Sequence, residues 1–122
     1  MILETAVVCM ALNIHHEARG EPFKCQLAVG LTTLNRAKHN PEKVCKVVFK
    51  PYQFSWTITM PGLQNSNEFE KSIIAARMSF KSVDFTNGAT HYHHVNIKPY
   101  WIKGMVPNSR FRCGQHYFYR SK

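Results

Sequence analysis

One helix ends and another begins within the stretch His15-His16-Glu17-Ala18-Arg19-Gly20-Glu21-Pro22. Upstream of it, apolar residues recur at alternating steps of four and three, which is the spacing of one face of an amphipathic helix over residues 3–18. These residues are Leu3, Val7, Met10 and Ile14. Gly20 suits a left-handed C-terminal cap, and Pro22 suits the start of the next helix. The stretch therefore predicts a helix junction.

The next step of the apolar stripe falls on Glu17. A carboxylate at this place meets the core and loses hydration, so its pKa should rise toward the range that suits a general acid near neutral pH. The alternative is a frayed helix end, with Glu17 turned to solvent or paired with Arg19. Spacing alone leaves both interpretations open.

Further helices and a short extended region complete the expected fold. Helix two should span residues 23–36 with Phe23, Leu27, Leu31 and Leu34 on one face, and Glu21 at its cap. A third helix starts at Asn40-Pro41, and a fourth runs from an Asn67/Glu70 capping box to about Ser82. Residues 90–97 and 116–120 look extended. We expect an α+β, predominantly helical single domain over residues 1–122, with a small C-terminal sheet.

Charge and cysteines set the expected partners and setting. Sixteen Lys and Arg against seven Asp and Glu give a net charge of +9, which favours a polyanionic partner such as nucleic acid or a bacterial wall. The four cysteines lack a CxxC pair and a leader to an oxidising compartment, so we expect free thiols. No signal peptide or membrane span is predicted, so the protein would reach an extracellular target by another route.

Metal and nucleotide chemistry find little support in the sequence. The zincin spacing fails because Gly20 stands where the second His is needed. An alternative metal site could use His91, His93, Cys113 and His116. No phosphate-binding glycine motif is present, and we predict no cofactor and a monomer.

Carboxylate chemistry fits the chain better. Glycosidases usually use two carboxylates, and here Glu21 and Asp84 are the candidates for a second acid beside Glu17. One acid suffices, however, when the substrate supplies its own nucleophile. In muramic acid the C6 hydroxyl can attack C1 and give a 1,6-anhydro sugar without water.

Two segments combine aromatic faces with groups that hydrogen-bond sugars. The first contributes Gln53, Ser55 and Trp56, and the second contributes His91, Tyr92, His93 and Trp101, with His116 nearby in the predicted cleft. Alternatively, Phe54 and Trp56 belong to the core and the histidines cap backbone groups.

The chain also resembles the cell wall hydrolases typified by the spore cortex-lytic enzyme SleB. The matching pieces, in order, are residues 17–22, 26–29, 35–36, 53–56, 88–92, 99–101 and 116–120. The resemblance implies a lysozyme-like fold, cleavage of the MurNAc–GlcNAc bond of peptidoglycan as a lytic transglycosylase, Glu17 as general acid/base, and no metal. Because a leader and wall-binding repeats are missing from the sequence, it favours a phage lysin or virion-associated lysin over a germination enzyme.

Two alternatives to this function stay open. One is a hydrolysing muramidase that uses Glu17 with Glu21 or Asp84. The other is a basic module that binds the wall or nucleic acid without catalysis. The histidine-rich segment 91–94, unusual for this family, could tune the charge and pH response of the cleft.

Overall fold

The computed structural model describes residues 2–50 and 66–122, which form a predominantly helical α+β fold, as predicted. The helices are α1 (Ile2–Ala18), α2 (Phe23–Arg36), α3 (Pro41–Val48) and α4 (Ser66–Ser79). They are followed by strand β1 (His91–His94), a 3-10 helix (Tyr100–Gly104), and strands β2 (Phe111–Cys113) and β3 (His116–Tyr119).

Helix α1 packs against the other three helices of the described residues, and its apolar stripe faces them. Met10 and Ile14 are fully buried and Val7 nearly so. Leu3 departs from the prediction because it is 52% exposed, on an open groove beside Arg77. The buried face of α1 therefore begins at Ala6 and Val7 and runs toward Glu17.

The helix boundaries agree closely with the sequence pattern. Gly20 adopts the predicted left-handed conformation (φ +83°), and the Asn40 side chain caps α3 by accepting a bond from the Glu42 N–H. Helix α4 ends at Ser79 instead of Ser82, where the Lys81 N–H bonds to the Met78 carbonyl in a turn. Phe23, expected on the inner face of α2, is 45% exposed because it lies in the first turn beside an open pocket.

The sheet has the strand order β1-β3-β2, and both pairings are antiparallel. The predicted extended segments contain β1 and β3, whereas β2 was not predicted because three residues carry no readable alternation. Phe118, opposite Tyr92 in the β1–β3 register, is fully buried in the core cluster that includes the helices. Through this side chain the sheet packs against the helical layer.

The prediction of free thiols is wrong. Cys9 is bonded to Cys45, which joins α1 to α3, and Cys25 is bonded to Cys113, which joins α2 to β2. The partners stand 36 and 88 residues apart in the chain, so only tertiary packing brings them together. Short-range cysteine spacing carries no signal for such pairs.

Candidate active site

A cleft of about 270 Å³ lies between the C-terminal end of α1 and the sheet. Its walls come from α1, α2, β1, the chain that follows β1, the 3-10 helix and β3. The lining residues are Glu17, Arg36, His91, Tyr92, His93, His94, Ile97, Pro99, Trp101 and His116. Acidic, cationic, imidazole and aromatic groups thus share one surface.

The cleft brings together most of the site residues predicted from sequence. Glu17, His91, Tyr92, His93, Trp101 and His116 all line it. Gln53, Ser55 and Trp56 lie outside the described residues. Sequence reasoning missed Arg36 as a lining residue, although the Asn35-Arg36 pair, one of the family-like pieces, was a signal for it.

Glu17 stands at the end of α1 with its carboxyl group largely withdrawn from water. Burial raises its pKa from 4.5 to about 7. No hydrogen bond or ion pair joins Glu17 to another residue within 2–50 and 66–122, and Arg19 instead directs Nη1 to His15 Nε2 at 3.4 Å. The alternative of a Glu17–Arg19 pair is therefore wrong, and Glu17 carries a proton near neutral pH about half of the time.

Tyr92 is fixed beside Glu17 by the same helix. Its hydroxyl oxygen accepts a bond from Asn13 Nδ2 at 3.1 Å, and Asn13 is a fully buried residue of α1. Burial and then the charge of Glu17 raise the pKa of Tyr92 above its ordinary value. The phenol of the folded protein therefore stays protonated near neutral pH.

Imidazole and indole rings form another part of the cleft wall. The Trp101 ring centroid lies 5.1 Å from that of His91 and 5.7 Å from that of His93. His93 Nε2 is 2.8 Å from the Tyr119 hydroxyl, and His91 Nδ1 is 2.9 Å from the Thr90 hydroxyl. Burial and the nearby Arg36 charge lower the pKa of His91, so this ring is neutral at neutral pH.

Arg36 supplies the guanidinium of the cleft. It is partly buried, and its Nη1 donates to the Thr90 carbonyl at 3.2 Å, just before β1. Among the lining residues in the described part of the chain, it is the one Lys or Arg. Among the residues that the structure describes, the cleft thus presents one carboxyl group and one guanidinium beside imidazole, phenol and indole rings.

Glu21 has a different role from the predicted helix cap. The N-cap position of α2 is Pro22, and the Glu21 carboxylate reaches across to the β2–β3 turn. Its Oε1 accepts a bond from the Gln115 N–H at 2.8 Å and lies 3.1 Å from His116 Nδ1. Burial lowers the pKa of His116, although the Glu21 bond and charge act in the opposite direction. Glu21 therefore positions a cleft residue from behind.

Asp84 is likewise occupied away from the cleft. Its carboxylate accepts bonds from the Thr86 N–H at 2.8 Å, the Gly88 N–H at 3.2 Å and Asn35 Nδ2 at 3.1 Å. Burial alone would raise its pKa, but a bond from the Thr86 hydroxyl together with these bonds lowers it below the ordinary value. Asp84 shapes the loop that leads into β1.

The alternative metal site loses one of its four ligands. Cys113 is in the disulfide with Cys25, so it has no thiolate to offer. Within the two described ranges, no three His, Cys, Asp or Glu side chains are arranged to hold a metal ion. His91, His93 and His116 are instead engaged with the Thr90 hydroxyl, the Tyr119 hydroxyl and Glu21.

No helix of the described chain is both long and apolar enough to cross a bilayer.

Comparison with known proteins gives concordant matches. Residues 20–119 match the model of the Cell Wall Hydrolase family. The spore cortex-lytic enzyme of Halalkalibacterium halodurans is 30% identical over 114 residues, covering 89% of this chain and 33% of that enzyme, so the chain spans about one third of that curated relative. The crystal structure of the catalytic domain of Bacillus cereus SleB matches with a TM-score of 0.77 at 25% identity, covering 96% of this chain and 91% of that one. The catalytic domain of the germination-specific lytic transglycosylase SleB from Bacillus anthracis matches with a TM-score of 0.75 at 25% identity, covering 94% and 93%.

Proposed function

The chain belongs to the cell wall hydrolase family, and we propose that residues 1–122 act as one catalytic domain that cleaves the MurNAc–GlcNAc bond of peptidoglycan. The observation that carries the proposal is the carboxyl of Glu17, the one acidic side chain among the described residues of the cleft surface, with a pKa of about 7. A general acid that must also return as a base works best with such a pKa. The net charge of +9 suits an anionic wall.

The reaction we propose needs a single carboxyl group. Protonated Glu17 donates its proton to the glycosidic oxygen while the bond from that oxygen to C1 of muramic acid breaks. The C6 hydroxyl of the same sugar then attacks C1, and the Glu17 carboxylate accepts the proton of that hydroxyl. The products are a 1,6-anhydromuramic end and a free glucosamine hydroxyl, and Glu17 is again protonated.

The other cleft residues would bind the sugars. The Trp101 face offers a platform for a pyranose ring, and the neutral His91 ring with the Tyr92 hydroxyl offers hydrogen bonds to sugar substituents. Glu21 and Asp84 are engaged elsewhere, which favours the one-acid reaction over a two-carboxylate muramidase.

The test is to digest purified peptidoglycan and to analyse the sugar ends by mass spectrometry. We expect 1,6-anhydromuramic ends, whereas reducing muramic ends would support the hydrolysing muramidase. Binding by the folded protein without any cleavage would contradict the enzymatic function and support a basic binding module.

Glu17→Gln keeps the shape of the side chain but removes the proton. We expect it to lower the rate of glycan release by roughly 10²–10⁴-fold, the usual contribution of general acid/base catalysis. Glu42→Gln, at an exposed carboxylate in the first turn of α3, is the matched control and should leave the rate unchanged. A folded Glu17→Gln protein with the parent rate would overturn the assignment.

A further inference from the structure

Two exposed arginines, Arg110 and Arg112, stand at the β2 edge of the sheet and contact one tyrosine ring. The guanidinium carbon of Arg110 lies 4.7 Å from the centre of the Tyr117 ring, and that of Arg112 lies 5.9 Å from it. In the antiparallel register of β2 and β3, Arg112 stands opposite Tyr117. Cation–π contacts thus hold this arginine pair against a single ring at the protein surface.

The same tyrosine ring connects the arginine pair to the cleft. In the register between β1 and β3, Tyr117 stands opposite His93, and the two ring centroids are 5.7 Å apart. His93 lines the cleft, and its ring centroid lies 5.7 Å from that of Trp101, which lines it too. A row of aromatic rings therefore leads from the cleft to the two guanidinium groups.

The charges of the arginine pair are not neutralised by an acidic side chain within residues 2–50 and 66–122. The one ion-pair contact in that part of the chain joins Glu21 to His116. Arg112 donates from Nε to the Gly114 carbonyl at 3.0 Å, a bond that fixes the side chain and does not use its terminal amino groups. Like charges held close together repel each other, and an anion that binds to both offsets this repulsion. Guanidinium groups suit carboxylates because they can donate two parallel hydrogen bonds.

We propose that the arginine pair binds carboxylates of the peptide stem of peptidoglycan while the sugar that bears the stem lies in the cleft. The inference rests on the proposed function, because the stem hangs from the muramic acid whose bond is cleaved. An extended peptide spans about 3.3–3.6 Å per residue, so a stem of a few residues covers the two ring contacts between His93 and Arg110. Continuity with the cleft favours the stem over a separate anionic polymer of the wall.

The test compares KM for two substrates, peptidoglycan strands whose stems carry free carboxylates and strands whose stem carboxylates have been converted to methylamides. For the parent protein at low ionic strength we expect a KM about fivefold lower on the strands with free carboxylates, as for a favourable exposed ion pair. This advantage should shrink as salt is added, because salt screens exposed charges. Strands from which an amidase has removed the stems should behave like the methylamide strands.

Substitution of either arginine should bring the ratio of the two KM values toward one. Arg110→Gln and Arg112→Gln remove a charge each, whereas Arg110→Lys keeps the charge and should retain most of the parent ratio. Arg77→Gln is the matched control, an exposed arginine on α4 that does not line the cleft, and should keep the parent ratio. If Arg112→Gln does not fold because the bond to Gly114 is lost, Arg110→Gln decides the question.

The outcomes separate this inference from the proposed function. Equal KM values of the parent on the two kinds of strand, or an unchanged ratio in folded Arg110→Gln, would overturn stem binding and leave the catalytic proposal standing. A loss of activity that is the same on both substrates would show a purely structural role for the arginines and would also overturn it. Cleavage of neither substrate by the parent would overturn both proposals.

Discussion

The helical layer and the C-terminal third contribute to the cleft in different ways. Helix α1 carries Glu17 into the cleft on a face whose inner residues, Met10 and Ile14, are fully buried. Residues 84–122 bring the imidazoles and Trp101, and they are fastened to the helices by a disulfide and polar contacts from Glu21 and Asn35. Apolar burial thus positions the acid, whereas long-range bonds position the wall of imidazole and indole rings.

Removing the Cys25–Cys113 disulfide, which joins α2 to β2, should cause the largest loss of stability. The bond closes a separation of 88 residues, and the chain-entropy model gives about 4–5 kcal/mol for such a loop. Cys9→Ser/Cys45→Ser, with a separation of 36, should cost about 1 kcal/mol less. Urea unfolding of the Cys25→Ser/Cys113→Ser and Cys9→Ser/Cys45→Ser proteins measures the two losses in the free energy of unfolding.

The two double variants should also differ in activity where both are folded. Cys113 immediately precedes the turn that carries Gln115 and His116, so its loss should lower cleavage, while loss of Cys9–Cys45 should spare it. Equal activity losses in the two variants would show that cleavage does not depend on the disulfide between α2 and β2.

Glu17→Gln should stabilise the fold in a pH-dependent manner. The folded carboxyl has a pKa of about 7 against 4.5 in the unfolded chain, so the folded state keeps its proton longer, and the parent loses stability as pH rises through this window. The variant should therefore gain up to about 3 kcal/mol over the parent at pH 8 and almost nothing at pH 4. The lowered pKa values of His91 and His116 act with the opposite sign, but in both proteins, so the difference isolates Glu17.

Chemical unfolding of parent and variant at a series of pH values provides the measurement. A stability difference that stays constant with pH would mean that Glu17 is solvated in the folded protein.

Gly114→Ala should perturb the contact between the two regions by a smaller amount. Gly114 has φ +57°, and an added Cβ would lie 2.7 Å from the Glu21 carboxylate oxygen that faces it. Gly20→Ala is the matched control, with φ +83° and open space around the added atom. We expect about 1 kcal/mol of backbone strain for Gly20→Ala and about 2 kcal/mol for Gly114→Ala. Equal melting temperatures for the two variants would contradict close packing of Glu21 against Gly114.

The difference between local apolar burial and long-range bonds also explains how much could be predicted from the sequence. The limits of α1 and α2, the Gly20 cap and the place of Glu17 all follow from spacings within a few residues. The partner of Cys25 is 88 residues away and that of Glu21 is 95 residues away, so no local pattern could reveal them. The neighbours of Glu21 in the chain predict a helix cap, because a contact 95 residues away leaves no mark on the local sequence.

The central claim is that the apolar face of α1 delivers Glu17 to the cleft as a desolvated acid. Its most direct test is an NMR titration of the parent protein labelled with ¹³C at the glutamate carboxyl carbons, with Glu17→Gln identifying the resonance. The structure predicts a midpoint at a pKa of about 7 for Glu17. A midpoint near the ordinary value of 4.5 would show a solvated carboxylate and would contradict the claim.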